Sequence, residues 1–368
     1  MFRRILFAAL ALGPITIALH YLAGLDETVE FALAALALIP LAWLIGEATE
    51  HAAELTGPGI GGFLNATFGN APELIIALLA VNQGLTEVVR GSLTGSVVGN
   101  LLLVLGFSLL AGGRGEIDRL SSFMSFGAIA VAILLFLIPA IPSWDGDPDR
   151  DSIATLSIPV SIALLVVYLG VTFYALRRHS QLHIASDEEI AGWSLGLALG
   201  VLAGATVVTA FVAEILVGSL EVFAERFGMT EFFVAAVIVA IVGNAAEHGG
   251  AVVVAYRGKI KLAAEIALAS AAQVAVFLIP AVALLALLID PLALGFRLVE
   301  IGALAASLVV TVVVVWGGVS SRARGVVLLI AYVAVAAAFW IAGDREGDHA
   351  EALVPNAEAT LVIGYVAK

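Results

Sequence analysis

Apolar runs of 18 or more residues recur along the whole of this 368-residue chain. Each can cross a hydrocarbon core of about 30 Å. A backbone in lipid must satisfy every N–H and C=O internally, which leaves only helical bundles and closed barrels. A barrel needs segments of about ten residues with alternating polarity, and the runs here do not alternate. Charged residues make up only 13% of the chain and hydrophobic ones 61%, whereas soluble domains carry about 25% charge. The chain is therefore read as an all-α integral membrane protein.

The remaining composition narrows the function classes. With no cysteine, disulfides and thiolate metal sites are excluded. A net charge of −13 does not suit a nucleic-acid binder, which needs a basic face. The acid excess lies mostly in loops and tail, as a solvated surface would. "MFRRILFAALALGPITIALHYLAG" has the charge pattern of a signal peptide, but about 20 apolar residues can span and no clear A-x-A site follows, so a retained first helix is expected.

Eleven spans are predicted, at about 5–24, 29–49, 60–82, 88–111, 122–141, 154–176, 193–219, 231–256, 262–289, 297–317 and 325–342. With Met1 in the cytoplasm, 11 of the 17 basic residues fall on inner segments: Arg3, Arg4, Arg114, Arg119, Arg177, Arg178, Arg257, Lys259, Lys261, Arg322 and Arg324. The outer ones, Arg90, Arg150, Arg226, Arg297, Arg345 and Lys368, are single and mostly beside acids. This bias puts the N-terminus in the cytoplasm and the C-terminus outside, in a multi-pass cell-membrane protein, expected in the inner membrane of a prokaryote. The organisation expected is an N-terminal helix (1–28), a five-helix unit (29–176), a cytoplasmic loop (177–192), a second five-helix unit (193–342) and a polar tail (343–368).

The two units share a motif. "GNAPE" at 69–73 and "GNAAEH" at 243–248 coincide under a shift of 174 residues, which places Glu73 on Glu247 and Asn70 on Asn244. The same gapless shift places Ser96 on Ser270 and Gly99 on Gln273, so the register holds over two consecutive helices. A unit with an odd number of spans makes its second copy enter from the opposite face. That is an inverted-topology repeat, an architecture common among secondary transporters. Each glutamate lies roughly 14–15 Å from its exit face at 1.5 Å per residue, close to mid-membrane. The two exit faces are opposite, so the glutamates are expected to meet.

A charge at mid-bilayer costs at least ~2.5–3.5 kcal/mol and marks a functional site by default. A structural hydrogen bond accounts easily for one glutamate, but not for two in matching motifs. Gly69 and Pro72 are expected to interrupt the helix before Glu73, and Gly243 and Gly249-Gly250 to do the same around Glu247. Carboxylates, asparagine amides and freed carbonyls form a hard-oxygen donor set suited to Ca²⁺. Two facing carboxylates are neutralised by one divalent cation or by two protons. This predicts obligatory exchange of cation for proton, because the bare, doubly charged site should not change conformation.

Other residues are placed around this pair. Ser96, Ser270 and Gln273 on the following helices complete the shell, line the pathway or simply allow close helix approach. Asn100, whose repeat mate is Val274, ranks lower. His248 is a candidate proton relay without a repeat counterpart. Glu47, Glu50 and Glu54 lie on one helix face beside His51, as a cation antechamber, a wetted helix end or, remotely, part of a metalloenzyme.

The paired motifs resemble the cation/proton exchanger family of the calcium/cation antiporter superfamily over about residues 29–342. The resemblance implies that Glu73 and Glu247 bind transported Ca²⁺, with Asn70 and Asn244 as companions. It implies export of Ca²⁺ against H⁺ rather than catalysis or a bound cofactor. Ca²⁺, H⁺ and the lipid bilayer are then the expected partners. Pro72 stands where that family usually has threonine and is reminiscent of Na⁺-coupled relatives, so Na⁺ coupling stays open. His248 and the two asparagines favour protons. The family's acidic loop helix is reduced to "SDEE" at 186–189. A cation channel or a membrane metalloenzyme is the more remote alternative.

Overall fold

The computed structural model describes residues 2–179 and 193–345. The central loop beyond His179, with "SDEE", and the tail after Arg345 lie outside the described residues. Among the described residues, nine helices are long and apolar enough to cross a membrane: α1 (Ile5–Ala23), α2 (Glu27–Gly57), α5 (Thr86–Gly112), α6 (Arg119–Ser143), α7 (Asp151–Phe173), α8 (Leu195–Gly218), α12 (Ile260–Ala286), α13 (Leu298–Val315) and α14 (Arg322–Ala342). Between them lie α3 (58–68), α4 (Ala71–Asn82), α9 (Leu220–Arg226), α10 (Glu231–Gly243) and α11 (Ala245–Tyr256).

Helix starts follow local chemistry. Side chains of Asp26, Asp118, Ser194, Thr230 and Ser321 accept N–H bonds of the first turn, satisfying donors that the helix cannot. The second predicted span does not stop near residue 49. It runs to Gly57, whose φ of 78° turns the chain into α3, a value open to glycine without penalty.

Two predicted spans are discontinuous. The stretch 58–82 is broken between α3 and α4 at Gly69-Asn70, and 231–256 between α10 and α11 at Asn244. Asn70 (φ −106°, ψ 20°) and Asn244 (φ −91°, ψ 7°) share one non-helical conformation. Pro72 does not break a helix. It sits at the start of α4, where the missing N–H has no partner to lose and the ring favours helical φ. Gly249 and Gly250 lie inside the continuous α11, since a glycine in a helix interior costs about 1 kcal/mol but keeps its N–H and its hydrogen bond.

The 174-residue register extends into backbone detail. Ala71–Asn82 matches Ala245–Tyr256, and Leu105–Gly112 matches Ile279–Ala286, end for end. Both α5 and α12 widen into a π-helical turn at matching places, Gly99–Val104 and Val274–Leu278. A third π turn, Val234–Val239, lies in α10. Such turns re-aim side chains and recur at functional sites. One continuous apolar core joins residues of both units, from Phe31 to Phe339.

Candidate functional site

Each motif asparagine ends one half-helix and starts the next, and the glutamate follows three residues later on the first turn of α4 or α11. An α-helix N-terminus carries unpaired N–H groups and partial positive charge, which favours a carboxylate there. The breaks therefore place Glu73 and Glu247 where a buried charge is least costly.

The two motifs meet. Glu73 is 7% exposed and lies against Gly243 of the other motif, where a β-carbon would stand 3.2 Å from its Cγ. Glu247 stands four residues beyond Gly243, in the first turn of α11, so two like-charged side chains share this region. One Glu73 oxygen, Oε2, is buried without a hydrogen-bond partner. Glu247 accepts a short hydrogen bond from Ser270. A small cavity at Glu73 is lined also by Ile76, Ser92, Leu93, Ser96, Val239 and Ala240.

Asn244 links the helices around the pair. Its amide nitrogen donates to Ser96 Oγ (2.8 Å) and to the Ala240 carbonyl (2.9 Å), and its carbonyl oxygen accepts from Asn100 (3.4 Å). Asn70 and Asn100 are also buried. Asn100 is thus more central than its lack of a repeat mate suggests. It stands in the π-helical turn of α5, whose extra residue aims it at Asn244, and only a sequence signal for that turn would have ranked it higher. Gln273 closes α12's regular portion just before the matching π turn and is half-buried. His248 follows Glu247 on α11, with its Nε2 buried and unpaired.

The acidic cluster of α2 does not join this centre. Glu50 and Glu54 are exposed, Glu47 is half-buried, and Glu47 lies 3.9 Å from His51 one turn on. His51 is buried and stacks on Trp193 at 4.9 Å, so it serves the packing of α2 against the start of α8.

Arg90, Arg297 and Arg345, read as single surface charges, are instead brought together. Arg90 is 1% exposed and pairs with Glu87 and Asp149, both at 2.6 Å. Arg297 lies 3.5 Å from Glu87 and 3.7 Å from Glu300, and Arg345 3.8 Å from Glu87. Glu87 and Glu300 each stand three residues from an arginine, but Asp149 and the joining of all three arginines around Glu87 come from parts of the chain far apart in sequence, which spacing does not reveal. At Asp149 burial pushes the carboxyl up, but Arg90's hydrogen bonds and charge outweigh this and hold it below its ordinary value.

Comparison with known proteins places this architecture. The sequence model of the sodium/calcium exchanger protein family matches residues 27–177 and 197–341. A Ca(2+)/H(+) antiporter, ChaA, of Bacillus subtilis (strain 168) is 37% identical over 350 residues, covering 92% of this chain and 99% of the relative. A Ca(2+)/H(+) antiporter of Synechocystis is 34% identical over 362 residues, covering 92% and 97%. The solved structure of native YfkE superposes with a TM-score of 0.79 at 35% identity, covering 91% of this chain and 99% of that one. With both motif-bearing units inside the matched segments, this chain belongs to the sodium/calcium exchanger protein family.

Proposed function

We propose that this protein exchanges Ca²⁺, or a similar divalent cation, for H⁺ by alternating access around Glu73 and Glu247. The observation that carries the proposal is the meeting of the two motifs: two carboxylates near one another, flanked by Asn70, Asn244, Asn100, Ser96 and Ser270, in an oxygen-only donor set. The relatives' names, Ca(2+)/H(+) antiporter, support the same reading.

The mechanism follows from charge. A bound divalent cation cancels both carboxylates; so do two protons. Either form crosses between the two access states without an exposed mid-membrane charge, while the bare pair does not. Ser270 holds Glu247 in place, and Asn244, Ser96 and Asn100 tie α5 to the α10–α11 break. His248 accepts protons released at Glu247, and Gln273 lines the route. Glu47, Glu50 and Glu54 gather cations at the cytoplasmic end of α2. The proposal takes 29–176 and 193–342 as inverted units, the N-terminus in the cytoplasm and the C-terminus outside, in a cell membrane.

Na⁺ coupling is the second reading, favoured by Pro72 in the first motif. Ca²⁺ uptake into proteoliposomes, driven by an imposed pH gradient or by a Na⁺ gradient, separates the two. Uptake with the pH gradient, abolished by Glu73→Gln, is expected. Uptake driven by Na⁺ alone would sink proton coupling.

A further inference from the structure

The two units are not packed alike. On one side α10 lies on α5: Phe232 is fully buried, and a β-carbon at Gly91 would stand 3.0 Å from its Cδ2. One turn on, a β-carbon at Gly95 would overlap the Ala236 carbonyl. The repeat mates of Gly91 and Gly95 are Glu265 and Ala269. On α12 Ala269 is exposed and Glu265 only half-buried. One face of the site is therefore sealed and the matching surface of the other is not.

The sealed side carries a clamp. The Arg297 guanidinium carbon lies 3.7 Å above the Phe232 ring. Phe339 meets that ring edge-on at 5.3 Å, and Asp344 accepts from the Phe232 N–H at 3.1 Å. Arg297 is in turn held by Glu87 and Glu300, and its Nη1 donates to the Gly343 carbonyl (2.7 Å). Glu300, fully buried, accepts from Thr94 of α5 at 3.2 Å and from the Arg297 N–H at 2.7 Å. The cluster has no mate on α12. Glu87 corresponds to Lys261, itself exposed and paired at 3.0 Å with the half-buried Asp118, and Arg90 corresponds to Ala264. Burying a charged network on one side only is costly, and this one is buried where α10 packs on α5.

We infer that Phe232 and Arg297 are positioning residues of a one-sided latch, which keeps α10 seated on α5 and this face closed to Glu73. The inference rests on the alternating-access reading. The latch biases the resting protein toward the state open at the opposite face, and each turnover must lift Phe232 off Gly91. A cation–π contact with a desolvated arginine adds to the burial of the aromatic ring, so loss of either partner frees the half-helix.

The chain contains no cysteine, so a single Ser92→Cys, beside Glu73 in the cavity, reports access. Its labelling by a membrane-impermeant maleimide is measured from each face of oriented vesicles without Ca²⁺. Labelling from the latch face should be slow. Adding Phe232→Ala or Arg297→Ala should speed it by about tenfold or more, from that face only, as a shift in the two-state population requires. Phe232→Tyr, which keeps ring and cation–π contact, should leave it slow. Where an alanine variant does not fold, Phe232→Leu carries the test with the same expected direction. Unchanged labelling in a folded variant overturns the latch, and so does an equal rise from both faces, which marks loosening of the whole bundle. Labelling does not depend on the cargo. Loss of H⁺-driven Ca²⁺ uptake therefore tests the exchange reading separately.

Discussion

Glu73 of the first motif rests on Gly243 of the second, with room between them for no more than a glycine: a β-carbon at 243 would come within 3.2 Å of the Glu73 Cγ. The contact makes the glycine of one repeat part of the seat for the carboxylate of the other.

Gly243→Ala should therefore move Glu73 by a few tenths of an ångström without unfolding the protein. The expected result is a fall in apparent Ca²⁺ affinity of about tenfold, equivalent to about 1.4 kcal/mol. Melting in detergent should shift by only a few degrees. Initial uptake rates over a Ca²⁺ series, beside thermal unfolding, check both parts.

Ser270 donates to Glu247, and hydrogen bonds to charged groups contribute about 1.5–3 kcal/mol. Ser270→Ala should weaken apparent Ca²⁺ affinity by about tenfold or more, while Ser270→Thr, which keeps the hydroxyl, should retain most of it. Equal loss in both variants would assign the effect to helix packing.

Arg90 is surrounded by Glu87 and Asp149. Arg90→Leu leaves two carboxylates without their cation and should cost about 3–5 kcal/mol, as broken buried pairs do. The double variant Glu87→Leu/Arg90→Leu should be less damaged than the sum of the singles. Melting temperatures of the three variants form the test.

Because Arg90 holds the Asp149 carboxyl below its ordinary value, the unfolded chain takes up that proton more readily than the folded one. The stability Asp149 contributes is thus complete above about pH 4 and is lost as pH falls through the lower, folded value. Asp149→Asn should be less stable than the parent at neutral pH, with the gap narrowing below about pH 4. Melting curves from neutral to acid pH measure it, and a constant gap would contradict the linkage.

The sequence by itself determined the all-helical membrane character and the 174-residue repeat register, because each rests on periodic or local chemistry, but not the spans one by one: eleven were expected, and among the described residues nine helices are long and apolar enough, with two expected spans broken. Long apolar runs can only be helices in lipid, and a gapless repeat of Gly-Asn-Ala and glutamate shows as a pattern. That each motif helix is interrupted was legible, but not where: Gly69 with Pro72 and Gly243 with Gly249-Gly250 were expected to do it, and the non-helical residues are Asn70 and Asn244. Tertiary structure alone decided the rest. Asn100 reaches Asn244 because a π turn rotates it there. Pro72 starts a helix rather than breaking one because Asn70 has already ended the previous one. Arg90 and Arg297 are buried, and Arg345 half-buried, because segments about 50 to 200 residues away in sequence bring them carbonyls and a carboxylate. The difference between the two faces of the site was equally hidden. Gly91 and Gly95 differ from Glu265 and Ala269 in the sequence, but whether a small residue marks a close approach depends on what packs against it.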